Sequence, residues 1–359
     1  MKTQFNNQFT QFTLIIPTYG RYTCLRRLLT FYKGYGFPFP IIVLDSCGGP
    51  EADDDMLQLL ESPQVVWKKF TPAVEFAQKL AEGCEYLKTE YAALCADDDF
   101  LLPNGILAAL RCIKENPEVS SVVGKVFNHQ LLGQNQRILL SSLYNPTASA
   151  TQPTAAARVE WYLGGGLEHL PFYGVQRSKL LQETWRNTTE HAGSLGLEEL
   201  YVSSACLIAG HMLTIPEFYS SREINSVDMI DADARRRVFS PQKMKQFGVG
   251  LSSLIHKADG GSLSDVQAAM DKTVSIWIEN DIATTDRKIH TFRNQPQSTP
   301  LRRLIGRTKS TYVQTMTQLR IAMSGSYGDF KALHKALLGS APVDEEIRQA
   351  REVLAETLK

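Results

Sequence analysis

The sequence lacks any apolar run long enough to span a bilayer, which takes about 18–20 residues. The N-terminal segment MKTQFNNQFTQF also lacks the apolar core of a signal peptide. Net charge is absent too, because Lys and Arg number 38 and Asp and Glu also number 38. A balanced total gives no global attraction to nucleic acid or to a membrane surface. We therefore expect a cytoplasmic protein that does not bind nucleic acid.

The six cysteines form no CxxC pair, and several lie within apolar runs. This pattern predicts buried thiols in a reducing compartment and disfavours both a disulfide framework and a zinc site. Internal repeats and low-complexity tracts are also lacking. With 359 residues, of which 43 % are hydrophobic, the chain has room for one large domain or two ordinary ones.

Short apolar runs alternate with helical patterns in the first third of the chain. Strands are predicted at 13–17, 41–45, 65–68 and 91–95, and helices at 22–32, 73–88 and 103–115. Apolar strands separated by amphipathic helices predict an α/β fold with a mostly parallel sheet flanked by helices. Ligands bind such sheets outside the carboxyl ends of the strands. Tyr19, Asp45 and the run 97–99 follow three of these strands, so we expect them to converge on one edge.

The rest of the chain has a different pattern. Residues 127–153 are polar and contain the turn signal Asn145-Pro146. A strand is predicted at 172–176, a helix at 198–209 that ends at Gly210, and a short strand at 212–215. From about residue 225 onward the pattern is mainly helical.

Three consecutive aspartates, Asp97, Asp98 and Asp99, directly follow the predicted strand at 91–95. Adjacent carboxylates raise one another's pKa, so the run is costly unless a cation compensates. Mg²⁺ and Mn²⁺ prefer hard oxygen ligands, typically one or two carboxylates with phosphate oxygens and water. The alternative is a solvated acidic turn or a cap for the helix at 103. The position at a sheet edge favours a metal site that binds a nucleotide diphosphate.

A second acidic run, Asp53 to Asp55, has no apolar strand directly before it. We interpret it as an exposed helix N-terminus, where carboxylates interact favourably with the helix dipole. His211, just after Gly210, is either a further metal contact or a structural histidine. Arg222 either reaches a diphosphate or forms a surface ion pair with Glu223.

Together these segments resemble the inverting family-2 glycosyltransferases of the GT-A fold. The resemblance rests on TLIIPTYGRYTCLRRLL, IIVLDS, AALCADDDFLLPNGIL, FYGVQRSKLL and GLEELYVSSACLIAGHML, which follow the family's order between residues 13 and 223. Two departures stand out. Ala96 occupies a position where the family often has Asp, and the residue matching the catalytic base is Glu199 instead of an Asp.

The resemblance implies a role for each matched residue. Glu199 would be the catalytic base, or Glu198 if the register is shifted by one. Asp99 would be the first metal ligand, with Asp97, Asp98 and His211 as further candidates, and the ion would be Mn²⁺ or Mg²⁺. The implied donor-binding residues are Pro17, Thr18, Tyr19, Arg21, Asp45, Asp97, Asp98 and Arg222.

The implied reaction transfers a sugar, with inversion, from a nucleotide-diphosphate donor to a hydroxyl of a saccharide or lipid-linked saccharide acceptor. UDP-sugars are the family's commonest donors, and surface polysaccharide or glycoconjugate synthesis is the implied role. Two alternatives stay open: a metal-dependent nucleotidyltransferase, and a non-enzymatic module that binds nucleotide or carbohydrate on the same fold. The segment PTYGRYT, with one Gly and one Arg, disfavours the first, because a triphosphate loop is usually rich in glycine.

These matches predict a catalytic domain over 1–223, with a nucleotide-binding half at about 13–126 and an acceptor half at about 127–223. A mainly helical region would follow at 224–359. Within it, residues 287–320 carry basic residues and no acid, which fits either peripheral contact with the inner face of the membrane or a solvated helix. The final helical pattern, 343–359, suits a homo-oligomer contact.

Overall fold

A computed structural model of the chain describes residues 9–46, 52–132, 137–144, 148–166, 170–193, 196–223, 239–293, 329 and 332–333. The first third contains β1 (Phe12–Thr18), α1 (Tyr22–Gly34), β2 (Ile41–Ser46), α2 (Asp54–Leu60), β3 (Val65–Phe70), α3 (Phe76–Cys84), β4 (Tyr91–Leu94), β5 (Phe100–Leu101) and α4 (Pro103–Glu115). The strands and helices predicted here are confirmed. Asp53 accepts a hydrogen bond from the Met56 backbone N–H and caps α2, as interpreted from the sequence.

The middle and C-terminal elements complete the fold. They are β6 (Val119–Leu132), β7 (Arg137–Tyr144), α5 (Ala155–Trp161), α6 (Leu170–Tyr173), β8 (Val175–Arg177), α7 (Ser178–His191), α8 (Leu197–Ala209), β9 (His211–Glu223), α9 (Pro241–Asp259) and α10 (Leu263–Arg293). Two predictions need correction. The segment 172–176 begins in the short helix α6 and becomes a strand only at Val175, and the polar segment after 127 belongs to the hairpin β6–β7.

In the described ranges, nine strands form a single mixed sheet in the order β3-β2-β1-β4-β8-β6-β9-β5, with β7 paired to β6. β3, β2, β1 and β4 are mutually parallel, and β6 and β9 are also parallel, whereas β8, β7 and β5 pair antiparallel. The sheet with flanking helices confirms the predicted fold class. No helix in the described ranges is long and apolar enough to cross a membrane.

Alternating side chains of the parallel strands pack on opposite faces, as the two-residue period of a strand requires. Leu14 and Val43 lie in the core cluster that contains residues of α1 and α4. Ile15 and Leu44 lie in the second cluster, with residues of α3 and α7. Both faces of the sheet are thus covered, which explains why these strands are apolar throughout.

The register of the strands brings the carboxyl ends of β1, β2 and β4 to one edge of the sheet. Thr18 at the end of β1 lies beside Asp45 near the end of β2, and Leu94, the last residue of β4, lies beside Ile15. On the other side of the acidic loop (residues 96–99), Phe100 pairs with Ser221. The end of β9 therefore lies at the same edge of the sheet. The polar residues that follow these strands therefore meet, as the sequence predicted.

A glycine brings α4 close to β9 just behind this edge. A Cβ on Gly105 would lie 2.4 Å from the carbonyl oxygen of Phe218, so any other residue would push the helix off the strand. The first turn of α4 directly follows the acidic loop. Close packing here therefore fixes the position at which that loop ends.

Asp329 joins the C-terminal region to this same helix. Its carboxylate accepts hydrogen bonds from the Asn104 backbone N–H at 2.9 Å and from the Tyr35 hydroxyl at 2.7 Å, and it is fully buried. Leu102, the residue at the N-cap of α4, makes no side-chain capping bond. Asp329 therefore supplies the cap from a distant part of the chain, and Leu333 packs into the main core beside it.

Replacing Asp329 by Ala is expected to cost about 1–3 kcal/mol, because it removes the acceptor of the part-buried Asn104 N–H and Tyr35 hydroxyl. The measurement is the melting temperature of the full chain. Glu183→Ala, on the exposed side of α7, is the control and should leave it unchanged. Equal melting temperatures for the two variants would contradict the capping role.

Candidate functional site

A cleft of about 600 Å³ lies at the carboxyl ends of β1 and β4. Its lining comes from the end of β1 and the turn after it, the end of β2, the start of α3, the end of β4 with the acidic loop 96–99, helix α6, helix α8 and the end of β9. The predicted site residues that line it are Pro17, Thr18, Tyr19, Arg21, Asp97, Asp98, Asp99, Glu199 and Arg222. Tyr19 is 57 % exposed at its mouth.

Asp97 and Asp98 are held by the turn after β1. The Thr18 hydroxyl donates to Asp97 at 2.6 Å, and the Arg21 guanidinium lies 3.2 Å from the other Asp97 oxygen. Arg21 also forms an ion pair with Asp98. The first strand and its turn thus position two of the three carboxylates, although Thr18 and Asp97 are 79 positions apart in sequence and Arg21 and Asp98 are 77 apart.

Asp99 is held from the other side, by the end of β9. It is 6 % exposed, and it accepts a hydrogen bond from the Glu223 backbone N–H at 3.0 Å. The Arg222 side-chain nitrogen lies 3.5 Å from its second oxygen. Arg222 therefore faces Asp99, and the ion pair with Glu223 weighed from the sequence is made by Arg27 instead, at 2.8 Å.

Two carboxyl groups of the acidic loop are hard to ionise. Burial raises the pKa of Asp97 to about 6, against the opposing effects of the Thr18 hydrogen bond and the Arg21 charge. Burial likewise raises the pKa of Asp99 to about 7, although Arg222 opposes it. The arginines of the cleft therefore do not fully offset the burial of these carboxylates.

Asp45 lies near the end of β2 and is fully buried. It accepts hydrogen bonds from the Tyr22 hydroxyl at 2.7 Å and from the Trp67 indole nitrogen at 3.2 Å. Among the described residues of this strand, the following residue, Ser46, lines the cleft. Asp45 thus sits beside the cleft wall, on the edge where the sequence placed it.

The two adjacent glutamates of α8 lie in different surroundings. Glu199 lines the cleft, and its charge raises the pKa of Tyr173, although burial is the larger cause. Tyr173 in turn lies under the Arg222 guanidinium, 5.3 Å from ring centre to carbon. Glu198 is 2 % exposed, and one of its carboxyl oxygens is buried without a hydrogen-bond partner. Glu199 and Asp99 therefore share one cleft, and Glu198 points into the protein.

The structure does not bring His211 to this site. His211 begins β9 and pairs with Val119, whereas Arg222 lies eleven residues further along the same strand. At about 3.3 Å per strand residue, the separation is on the order of 35 Å. A metal ligand at His211 is therefore incompatible with a metal held by Asp99, because the two lie at opposite ends of β9.

No protein-family model and no curated protein matches this sequence. Among solved structures, S. aureus TarS 1-349 matches with a TM-score of 0.51 and 15 % sequence identity, over 97 % of this chain and 92 % of that chain. The fold is similar to that of a glycosyltransferase. Structures of the same protein with UDP and with UDP-GlcNAc match over the same shares, with TM-scores of 0.48 and 0.49 and identities of 14 % and 15 %.

Sequence reasoning missed Lys79. It is 4 % exposed on α3, lines the cleft, and donates to the Thr18 carbonyl oxygen at 3.1 Å. Burial lowers its pKa, and the charges of Asp45 and Asp97 oppose that effect. A signal was present, because Lys79 falls on the helical stripe of Phe76, Leu80 and Gly83, where an apolar residue is expected.

A second set of missed residues forms an aromatic wall of the cleft. Phe76, Phe172 and Tyr173 line it. Phe76 and Phe172 each pack edge-to-face on Trp185, with ring centres 5.8 and 5.9 Å apart. Trp185 is fully buried and thus belongs to the core beneath this wall.

The cleft fits a metal ion that is shared with a ligand. No group of three or more His, Cys, Asp or Glu side chains in the part of the chain described here could hold a metal by itself. Mg²⁺ and Mn²⁺ in phosphate-binding sites use only one or two carboxylates, with the remaining ligands from phosphate and water. Asp97 and Asp99, buried carboxylates with raised pKa values, suit such a site.

Proposed function

We propose that this chain is an inverting glycosyltransferase that uses a nucleotide-diphosphate sugar and a divalent metal ion. The observation that supports it is the shared cleft of Glu199, Asp99 and Arg222 at the carboxyl edge of the sheet. A proton acceptor and a site for a leaving diphosphate are what this reaction requires on two sides of one sugar. The glycosyltransferase-like fold is consistent with it.

The charges of the cleft argue for a cation. Five carboxylates line it (Asp97, Asp98, Asp99, Glu199 and Glu223), against three basic side chains (Arg21, Lys79 and Arg222). A diphosphate would bring further negative charge into this excess. A divalent ion between the aspartates and the diphosphate would offset the repulsion between their negative charges. It would also stabilise the charge that develops on the leaving group.

The chain's own residues would divide the reaction between them. Glu199 takes the proton of the acceptor hydroxyl as that oxygen bonds to the anomeric carbon. The bond from the anomeric carbon to the diphosphate oxygen breaks, and its electron pair leaves with the diphosphate, beside Arg222 and Lys79. Attack and departure on opposite faces invert the configuration. Asp97 and Asp99 would hold the metal. Asp45 is fully buried behind the cleft wall, so Ser46 is the residue of β2 that reaches the cleft.

The class of acceptor is inferred from the aromatic wall. Phe76, Phe172 and Tyr173 line the cleft together with Glu199, and sugar rings pack against aromatic side chains. We propose a saccharide or lipid-linked saccharide acceptor. The basic segment proposed for membrane contact extends beyond Arg293 into residues outside the described ranges, and so does the final helical pattern proposed for oligomerisation.

A thermal-shift screen tests the proposal. UDP, GDP, CDP, CMP, TDP and UDP-GlcNAc are each added with Mn²⁺, with Mg²⁺, or with EDTA. A ligand that binds only the native state raises the melting temperature. At a hundred times its Kd, it adds about 2.7 kcal/mol to the free energy of unfolding. We expect one nucleoside diphosphate to do so, and EDTA to abolish the shift.

Asp55→Ala is the control for substitutions in the acidic loop, because Asp55 belongs to the other acidic run and its side chain is 83 % exposed. It should keep the full metal-dependent shift. A shift that survives EDTA would remove the metal from the proposal. A shift with nucleoside triphosphates alone would favour a nucleotidyltransferase, and binding without sugar transfer would favour a non-enzymatic module.

A further inference from the structure

Tyr173, the last residue of α6, is held in place by two neighbouring strands. Its carbonyl oxygen accepts a hydrogen bond from the Tyr219 hydroxyl on β9 at 2.7 Å, and Tyr219 is fully buried. A Cβ on the next residue, Gly174, would lie 2.2 Å from the Ser121 Oγ on β6, so the backbone here packs closely against that strand. The Tyr173 ring also packs edge-to-face on Phe172, with ring centres 4.8 Å apart. The ring therefore has a defined position in the wall of the cleft.

Arg222 contacts both this ring and Asp99. Its guanidinium carbon lies 5.3 Å from the centre of the Tyr173 ring, and its Nε lies 3.5 Å from a carboxylate oxygen of Asp99. All three residues line the cleft, and the Arg222 side chain is 37 % exposed, so a ligand in the cleft can reach it. Tyr219 and Arg222 both belong to β9. The strand that holds the Tyr173 backbone therefore also brings the guanidinium to its ring.

An arginine that stacks on a ring can still bind phosphate. The guanidinium is planar, and its positive charge is attracted to the negative face of an aromatic ring. Its N–H groups point outward in the plane of the guanidinium, which is the geometry that binds phosphate oxygens in pairs. An arginine side chain has several rotatable bonds, and a ring that limits them reduces the entropy lost when a ligand binds. The contact with Tyr173 therefore prepares Arg222 to bind an anion.

We infer that Tyr173 is a positioning residue: its ring supports the Arg222 guanidinium beside Asp99, in the position from which Arg222 binds the diphosphate of the donor. This inference rests on the proposed function for the ligand, and on the structure alone for the contact of ring and guanidinium. It gives Tyr173 a task on the donor side, whereas Phe76 and Phe172 stay with the acceptor.

Binding of UDP and of UMP, each with Mn²⁺, tests this task by calorimetric titration. If the thermal-shift screen identifies another base, the diphosphate and monophosphate of that base take their place. Tyr173→Leu removes the ring face and keeps an apolar side chain. We expect it to raise the Kd of UDP about tenfold. The Kd of UMP should stay within about twofold, because UMP lacks the second phosphate, which is the one assigned to Arg222.

Tyr173→Phe should restore the wild-type Kd of UDP, because the ring and not the hydroxyl contacts Arg222. Tyr86→Leu is the matched control, since Tyr86 also contacts a cation, Lys68 at 4.3 Å, but does not line the cleft. It should change neither Kd. In the double variant of Tyr173→Leu and Arg222→Met, the loss should equal that of Arg222→Met alone, because residues that act through one another do not add.

The contact itself is read from the NMR signal of the Arg222 Nε–H group, which is assigned by its loss in Arg222→Met. A ring current from Tyr173 should displace this signal in the wild type and in Tyr173→Phe. In Tyr173→Leu the signal should move toward the position of an exposed arginine. Should Tyr173→Leu fail to fold, Tyr173→Met takes its place, because methionine adapts to irregular gaps.

Three results would overturn the inference. If Tyr173→Leu leaves the Kd of UDP unchanged and raises the KM of the acceptor, the ring belongs to the acceptor site. If the losses of Tyr173→Leu and Arg222→Met add, the two residues act independently. If the Arg222 signal is the same in Tyr173→Leu as in the wild type, the ring does not hold the guanidinium. A wild type that binds no nucleotide would sink the proposed function, and the NMR signal would still decide the contact.

Discussion

Glu199→Gln is expected to lower kcat by about 10³-fold while the Kd for the nucleotide stays within threefold of the wild type. Glutamine has the size of glutamate but does not accept a proton. The side chain lines the same cleft as Tyr173, which contacts Arg222 at the donor side. A loss of kcat without loss of binding is the signature of an interaction made only in the transition state.

The measurement is steady-state transfer to a saccharide acceptor with the donor identified by the thermal-shift screen. Glu199→Asp provides a graded comparison, because it keeps the proton acceptor but shortens its reach by one methylene. It should retain more activity than Glu199→Gln. Glu183→Gln, on the exposed side of α7, is the surface control. Full activity of Glu199→Gln would remove Glu199 from the reaction.

The first third of the fold was predictable because its signals are local. Strands β1, β2 and β4 there are mainly apolar runs, since both faces of the sheet are covered, and each helix has its own apolar stripe. The order of strands and helices then dictates a parallel sheet, and the parallel sheet dictates that residues after the strands meet at one edge. Asp97, Asp98 and Asp99 were found by this reasoning.

The elements that sequence reasoning missed depend on contacts between distant segments. Strand β6 is polar where it pairs with β7, so it has no apolar run to reveal it, and β9 extends well beyond its apolar start. The sequence also could not tell which of two adjacent acids on α8 faces the cleft. Neighbouring residues on a helix point about 100° apart, so a small change in the packing of the helix exchanges their roles.

The charges that stabilise the acidic loop also come from distant segments of the chain. The sequence indicates that three adjacent carboxylates need a compensating cation, but it does not say where the cation comes from. Arg21 comes from the turn after β1 and Arg222 from the end of β9, and both reach the loop through the sheet register. They stabilise the acids only in part, since the pKa values of Asp97 and Asp99 stay raised.

Asp99→Asn is expected to abolish the metal-dependent thermal shift and to lower turnover by at least about 10²-fold, because the leaving diphosphate would lose its metal-held stabilisation. The asparagine oxygen can still accept the Glu223 N–H, so the fold of the loop should persist. Asp55→Asn, in the exposed acidic run, is the matched control and should keep both the shift and the activity. Metal-dependent binding that survives in Asp99→Asn would place the metal elsewhere.

Without metal, Asp99→Asn is expected to raise the melting temperature instead of lowering it. The two conditions together therefore test the role of Asp99 more stringently. The pKa of Asp99 is about 7 in the folded state and has its ordinary value of 3.8 when unfolded. Its contribution to stability is therefore complete below about pH 4 and is lost as the pH rises through 7, at roughly 1.4 kcal/mol per pKa unit. Metal-free Asp99→Asn should melt above the wild type at pH 8, and this advantage should shrink toward pH 5. Asp97 titrates in both proteins, so their difference reports Asp99 together with its charge interaction with Asp97. With Mn²⁺ and the nucleotide present at pH 8, the order should reverse, since only the wild type can exchange the destabilising carboxylate charge for a metal bond.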